Sequence, residues 1–435
     1  MQVAMHRCPE ALSLAPLLKD IACPRQTLKI AYPCTGVKAS GFFEEAWGLR
    51  TVSCHVYDLE PDYAALYDSI FGAGKYCVGP DHGDLLKIKL QDLEVPNFLI
   101  AGPPCPPWAG NGLKRGESDA RADVYGAILK WIVHWSRHPQ FLGFALENVG
   151  GMAKRNQGCE AYLPRALKTL RAAVPTWIFD FVTLSLQDYK LPQSRTRVFL
   201  RGMPRALVTD MIPPPLDGNL LEPKTLQDCL IQGLPCTKRD SLISNIKKNL
   251  NNFEFQLRVA RKKNELGATS IAVCSIDRSS EATWQSSIQY DRIPTLTTSN
   301  VFLFMISTDD LDAPDDQKKL FRFLHPLERL LLQGLPVQKG DKLGNEKLIV
   351  KAAGNCYPPV LVAAAIAPML ALVPSDFIVD PAEIKYAPSH AAKTFRVPTA
   401  DRTAMKGKAA MKTVGAKGTI KRMKAQSGMK AIGAR

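Results

Sequence analysis

Asn97-Phe98-Leu99-Ile100-Ala101-Gly102-Pro103-Pro104-Cys105-Pro106-Pro107-Trp108 runs from a short apolar stretch straight into a proline-stiffened loop that carries one cysteine. The length and apolarity of the stretch predict a strand buried on both faces, as in a parallel sheet. A loop leaving the C-terminal end of such a strand is where an α/β fold keeps its chemistry. Four prolines restrict φ on both sides of Cys105 and hold its thiol in one pose. Taken alone, a cysteine among prolines reads more readily as a buried or incidental thiol.

Working outward, Leu28 to Tyr32, Thr51 to Tyr57 and Phe141 to Leu146 are also strand-like. Helical stretches such as Val124 to Trp135 and Glu160 to Val174 lie between the apolar runs, which predicts an α/β fold with a doubly wound, mostly parallel sheet. With 435 residues, 46% of them hydrophobic, the chain can bury a large core and add one smaller domain. Three further elements follow the cysteine loop. Leu146-Glu147-Asn148-Val149 puts a carboxyl and an amide at a second strand end, a pair that by itself also reads as a helix start. Gln193-Ser194-Arg195-Thr196-Arg197 leads into Val198-Phe199-Leu200, and period-2 alternation places Gln193, Arg195 and Arg197 on one face. Gly354-Asn355 precedes Tyr357-Pro358-Pro359 and the apolar segment Val360 to Val373, a turn entering a buried helix.

In this order the elements resemble the cytosine-5 DNA methyltransferase family, over roughly Leu28 to Val373. Arg322-Phe323-Leu324-His325-Pro326-Leu327-Glu328, continuing to Leu332-Gln333-Gly334-Leu335-Pro336, resembles the family's penultimate motif. The resemblance implies a Rossmann-like class I methyltransferase that uses S-adenosylmethionine and acts on double-stranded DNA. Carbon 5 of cytosine is barely nucleophilic, and a thiolate adding to carbon 6 turns the ring into an enamine. The resemblance makes Cys105 that thiolate. A carboxyl kept protonated by burial stabilises charge at ring nitrogen 3, the role implied for Glu147. Arg197 is implied at the base carbonyl oxygen, with Arg195 nearer the backbone and the nucleophile. The base must leave the duplex stack to be reached, and Gly110 to Gly116, glycine-rich with Lys114 and Arg115, suits a loop closing over phosphate.

The expected cofactor residues are Gly36, Asp58 or Glu60, Asp84, Pro103 and Asn355, with a carboxylate after the second strand at the ribose hydroxyls. Singly, Asp58, Asp84 and Asn355 also read as caps and turn residues. The first loop, Pro33-Cys34-Thr35-Gly36-Val37-Lys38-Ala39, departs from the family pattern, which has an aromatic residue and three closely spaced glycines; only Gly36 stands in place. Lys38 and Ala39 thus set cofactor binding in question.

The expected organisation is a lead-in over 1–27, catalytic parts over 28–203 and 292–380, a target-recognition domain over 204–291, and a basic low-complexity tail over 381–435. Lys238-Arg239, Lys247-Lys248 and Arg258, Arg261, Lys262 and Lys263 are candidate phosphate contacts. The net charge is +15, and from Lys393 to Arg435 twelve cationic residues face one acidic residue, Asp401. Such a tail has no core to bury and is expected to be disordered. Its charge suits DNA or chromatin attachment, or a nuclear import signal if the source is eukaryotic. Eleven cysteines without a Cys-x-x-Cys pair, and charges breaking up Met1 to Lys19, predict a reducing intracellular compartment. Seven scattered histidines give no ligand spacing, so no metal is expected. Prolines interrupt the uncharged stretch Ala352 to Ser375, which predicts a buried helix rather than a membrane span. Three functions remain open: a DNA cytosine methyltransferase, a tRNA cytosine-5 methyltransferase on the same scaffold, and a DNA-binding scaffold impaired in cofactor binding.

Overall fold

The computed structural model describes residues 13–63, 66, 77–78, 83–109, 116–154, 160–263, 270–276, 288–298, 303–335 and 345–374. The loop 110–115, His82 and the tail 381–435 lie outside the described residues. Seven strands form the main sheet: β1 (Leu28–Pro33), β2 (Thr51–Asp58), β3 (Cys77–Val78), β4 (Phe98–Ala101), β5 (Gly143–Val149), β6 (Trp177–Ser185) and β8 (Thr196–Pro204). Their spatial order is β3-β2-β1-β4-β5-β8-β6. All neighbours pair in parallel except at β8, which runs antiparallel to both β5 and β6. The fold is therefore α/β and doubly wound, with strand order reversing between β1 and β4. That reversal opens a crevice beyond the strand C-termini, where ligands of such sheets bind.

Strict side-chain alternation assigns the two faces. Leu28, Ile30 and Tyr32 of β1 and Phe98 and Ile100 of β4 pack on one side, while Ala31, Leu99 and Ala101 pack on the other. The first face is covered by α1 (Ala15–Leu18), α2 (Ser40–Trp47) and, late in the chain, α8 (Pro359–Leu370). The second is covered by α3 (Ala122–Trp135) and α4 (Tyr162–Ala173). Every residue of α8 is buried, so the apolar stretch that raised the membrane question is core. Arg201 on β8 spans this packing, pairing with Asp180 of β6 at 2.6 Å and donating to the carbonyls of Pro213 and Ala365.

Between β8 and the return to the sheet lies a smaller unit, in which α5 (Ser244–Lys262) packs on an antiparallel sheet of order β10-β9-β12-β13. These strands are β9 (Ile271–Ser275), β10 (Gln289–Tyr290), β12 (Leu303–Ser307) and β13 (Phe321–Phe323). Ile246, Leu250, Phe253 and Leu257 of α5 bury against Ala272, Phe304 and Phe321. The unit runs past the expected boundary at Asp291, because β12 pairs with β9 over five residues. Near Asp291 the chain forms β11 (Ile293–Pro294), which pairs in parallel with β7 (Gln193–Ser194) in a separate two-stranded sheet. Several expected phosphate contacts are engaged inside this unit. Arg239 pairs with Glu254 at 2.7 Å, Arg261 with Asp312 at 2.6 Å, and Lys247 with Asp240 at 3.6 Å.

Replacing Arg201 by Met would leave Asp180, the buried carbonyl of Ala365 and the part-buried carbonyl of Pro213 without their donor. The expected loss is about 3 kcal/mol of unfolding free energy, read from the urea midpoint; an unchanged midpoint would show the cluster to be dispensable.

Candidate active site

Loops from the C-terminal ends of β1, β4 and β5 meet at the strand-order reversal, and the sequence fixes each locally. Gly102 ends β4 where a Cβ would come within 2.9 Å of the Tyr357 ring, so only glycine fits there. Pro103 follows, and its carbonyl accepts a bond from Asn148 Nδ2 at 3.1 Å. After Cys105, the amides of Trp108 and Ala109 both donate to the Cys105 carbonyl at 3.0 Å, and the Trp108 ring packs between Tyr125 and Tyr162. Both ends of the cysteine loop are thus pinned, and the Cys105 side chain is half-buried.

Strand register brings the next groups together. Glu147 stands opposite Phe199 and Val149 opposite Arg197 in the β5–β8 ladder, so Glu147 and Arg197 are diagonal neighbours. Arg197 Nε lies 2.7 Å from Glu147 Oε1, with both side chains nearly buried. Burial pushes the Glu147 carboxyl upward, while Arg197 and then Arg195 pull against that shift. Burial likewise pushes the Cys105 thiol up, opposed by Arg197 and Arg195 and assisted by Glu147. The four expected catalytic residues therefore form one electrostatic cluster.

Gln193, Arg195 and Arg197 are all buried while Ser194 and Thr196 are not, as alternation predicts, but the three side chains engage different partners. Arg195 itself stands between β7 and β8. Gln193 Nε2 donates to the Leu332 carbonyl at 2.7 Å and its Oε1 accepts from the Leu296 amide. Arg195 donates to the carbonyls of Leu296, Gly354 and Cys356. Only Arg197 meets Glu147. Arg195 therefore braces the site, and its guanidinium is pushed down to about 9 by burial and then by Arg197.

On the other side of the crevice, Gly36 is left-handed (φ 56°), and a Cβ built there meets nothing within 4 Å, so open space lies before the loop. The Gly36 amide donates to Asp58 Oδ2 at 2.9 Å and the Glu60 amide to Asp58 Oδ1 at 3.0 Å. Burial raises Asp58 to about 6, opposed first by the Gly36 bond. Glu60 is ion-paired with Lys351, and Asn355 Nδ2 donates to the Tyr63 hydroxyl at 3.0 Å. Two contacts thus hold α7 (Glu346–Asn355) against the end of β2. The Asp84 carboxylate caps a short 3₁₀ turn, accepting from the Leu86 amide, and faces Lys87 at 3.9 Å. These partners give it the capping role that the sequence also allowed.

Tyr357, Tyr63 and Lys351 had no functional assignment from sequence. Fully buried Tyr357 spans both loops, its hydroxyl 3.1 Å from Thr35 Oγ1 and its ring against Gly102. A tyrosine before two prolines offered no periodic signal of that role. Among the described residues no group of three His, Cys, Asp or Glu could hold a metal ion.

A half-buried thiol beside two guanidinium groups and a carboxyl shifted toward its neutral form is equipped for nucleophilic addition with a proton held nearby. Because the free thiol is raised, Cys105 is mostly protonated at neutral pH. Its alkylation by iodoacetamide, followed by peptide mass mapping, is expected to keep accelerating above pH 9, where an ordinary cysteine levels off. Arg197→Met removes the largest opposing influence and should slow labelling at pH 8; faster labelling would contradict the assigned electrostatics.

Residues 40–370 match the sequence profile described as C-5 cytosine-specific DNA methylase, most of the chain. Among curated relatives, Type II methyltransferase M.NgoPII of Neisseria gonorrhoeae is 34% identical over 156 residues, covering 34% of this chain and 42% of that protein. Type II methyltransferase M.NlaX of Neisseria lactamica is 28% identical over 213 residues, covering 46% and 62%. The chain spans about half the length of the curated relatives it matches. Among solved structures, Entamoeba histolytica methyltransferase EhMeth superposes with a TM-score of 0.49 at 14% identity, covering 79% of this chain and 98% of that one. On the breadth of the profile match, carried by the ordered motifs around Cys105, this chain belongs to the C-5 cytosine-specific DNA methylase family.

Proposed function

We propose that this chain transfers a methyl group from S-adenosylmethionine to carbon 5 of cytosine in double-stranded DNA, through a covalent adduct with Cys105. The observation that carries the reading is the cluster of Cys105, Glu147 and Arg197 at the strand-order reversal, facing the Gly36–Asp58 loop across the crevice. The open space before Gly36 and the carboxylates of Asp58 and Glu60 fit a nucleoside with ribose hydroxyls. Gly36, Asp58, Glu60, Pro103 and Asn355 would hold the cofactor, which when bound supplies an electrophilic methyl group on a sulfonium.

The chain's own residues prepare the base. The Cys105 thiolate adds to carbon 6 of a cytosine turned out of the stack, at an unstacking cost of a few kcal/mol. Glu147 in its acid form donates a proton to ring nitrogen 3 as electron density moves onto the ring. Arg197 orients Glu147 and offers its guanidinium to the base carbonyl. Once carbon 5 carries the methyl group, loss of its proton to solvent, expulsion of Cys105 as the thiolate and return of the nitrogen 3 proton to Glu147 restore the neutral aromatic ring.

DNA is favoured over tRNA because the matched family is described by DNA and because a folded helix-and-sheet unit is inserted where the family reads flanking bases. The 381–435 segment adds a cationic extension suited to DNA or chromatin phosphate and, in a eukaryotic cell, to nuclear import.

The test is trapping on a denaturing gel with S-adenosylmethionine and duplexes carrying 5-fluorocytosine in varied contexts, beside Cys105→Ala. Fluorine cannot leave as the carbon 5 proton does, so the adduct persists. A cofactor-dependent band lost in the variant is expected; adducts on tRNA alone would transfer the reading to RNA, and no adduct on either would leave the scaffold reading. Glu147→Gln should lower turnover by about 10²- to 10⁴-fold.

A further inference from the structure

Three residues of the β1 loop, Cys34, Gly36 and Lys38, take left-handed backbone conformations, with φ of 54°, 56° and 46°. Glycine does so freely, whereas a side chain at this conformation is strained and persists only when its surroundings hold it. The Lys38 side chain supplies such a hold. It is 5% exposed, and its Nζ donates to Ser53 Oγ of β2 at 2.8 Å. The same Nζ lies 3.6 Å from Glu44 Oε2 of α2 and 4.4 Å from the centre of the Tyr32 ring of β1. Glu44 is itself fixed, accepting from the Tyr32 hydroxyl at 2.6 Å and the Thr51 hydroxyl at 3.0 Å. The ammonium is therefore tethered to β1, β2 and α2, the elements framing the loop, and lies in the interior.

We propose that the Lys38–Glu44 pair is a positioning device for the cofactor loop, holding a left-handed backbone at a residue that is not glycine. The inference rests on the cofactor reading given above. Lys38 is a positioning residue and not a cofactor ligand. It acts through Gly36, two residues earlier, whose amide bond to Asp58 Oδ2 joins the loop to the expected ribose-binding carboxylate. The strain of a left-handed lysine is thus offset within this chain by the buried partners of its side chain.

Removing one member alone strands the other charge in the interior, so the informative variants replace both. S-adenosylmethionine is titrated calorimetrically into the full chain, into Lys38→Met/Glu44→Met and into Lys38→Gly/Glu44→Met, with a thermal melt of each. The Met/Met protein, which also leaves the Tyr32 and Thr51 hydroxyls without their acceptor, is expected to melt below the wild type yet remain folded, and to bind the cofactor about tenfold more weakly, because an untethered side chain cannot hold the left-handed loop. The Gly/Met protein should recover most of that loss. Ser53→Ala, which leaves both charges in place, is expected to weaken binding about threefold and serves if the double variants do not fold. Cofactor affinity within twofold of wild type in the folded variants would overturn the inference and leave the pair a purely structural feature. Failure of the wild-type chain to bind S-adenosylmethionine would overturn the cofactor reading and this inference together.

Discussion

The buried guanidinium of Arg195 is the interaction on which the site depends. It reaches carbonyls of Leu296, 101 residues downstream, and of Gly354 and Cys356, about 160 residues downstream. Leu296 lies between the strands of the smaller helix-and-sheet unit, and Gly354 and Cys356 follow only after that unit is complete. Arg195 therefore sets where the late motifs stand relative to the cysteine loop, and Tyr357, next to Cys356, meets Gly102 and Thr35 as a consequence. A lysine could not serve, because a single ammonium lacks the planar fork that reaches several carbonyls at once. Desolvating this cation is costly, and the shift of its ionisation down to about 9 measures that cost in direction. It still carries its charge at neutral pH, with backbone oxygens replacing water.

With Arg195 fixed, the chemistry is decided by competition between burial and charge. Burial favours the neutral forms of both Cys105 and Glu147, and in each case it outweighs Arg197 and Arg195. For Glu147 this direction suits a proton donor. For Cys105 it means a thiol that rests protonated, with cations in place to stabilise the thiolate when a base arrives. Burial therefore holds the Cys105 sulfur in its less nucleophilic form. On the opposite wall, Asp58 is raised to about 6 and held by two backbone amides, which positions it before any ligand enters.

Much of this was legible in the sequence where elements are buried on both faces. Asn97 to Ala101 and Leu28 to Tyr32 are continuously apolar, and both became central strands within a residue or two. The strand expected from Phe141 begins two residues later, at Gly143. At the sheet edge, Trp177–Ser185 is half-exposed along its length, and its mixed pattern gave no comparable signal. The end of the smaller unit was misplaced because β12 and β13 pair with β9 across long connections, and register across such distances leaves no local mark. The separate partners of the arginine motif left no local mark for the same reason, since Leu332, Leu296 and Cys356 lie far from it along the chain. Lys38 looked like an obstruction to the cofactor, since its partners Glu44 and Ser53 become neighbours only when α2 packs on β1 and β2.

The central claim is that Cys105, supported by Glu147 and Arg197, adds reversibly to cytosine. Addition at carbon 6 lets carbon 5 take a proton from solvent, and elimination then releases the hydrogen originally there. The most direct measurement is tritium release from duplex DNA carrying [5-³H]cytosine, with no methyl donor present. The account predicts release by the wild-type protein, abolished in Cys105→Ala and strongly reduced in Glu147→Gln. Equal release by Cys105→Ala, or none from the wild type on any duplex that it binds, would contradict it.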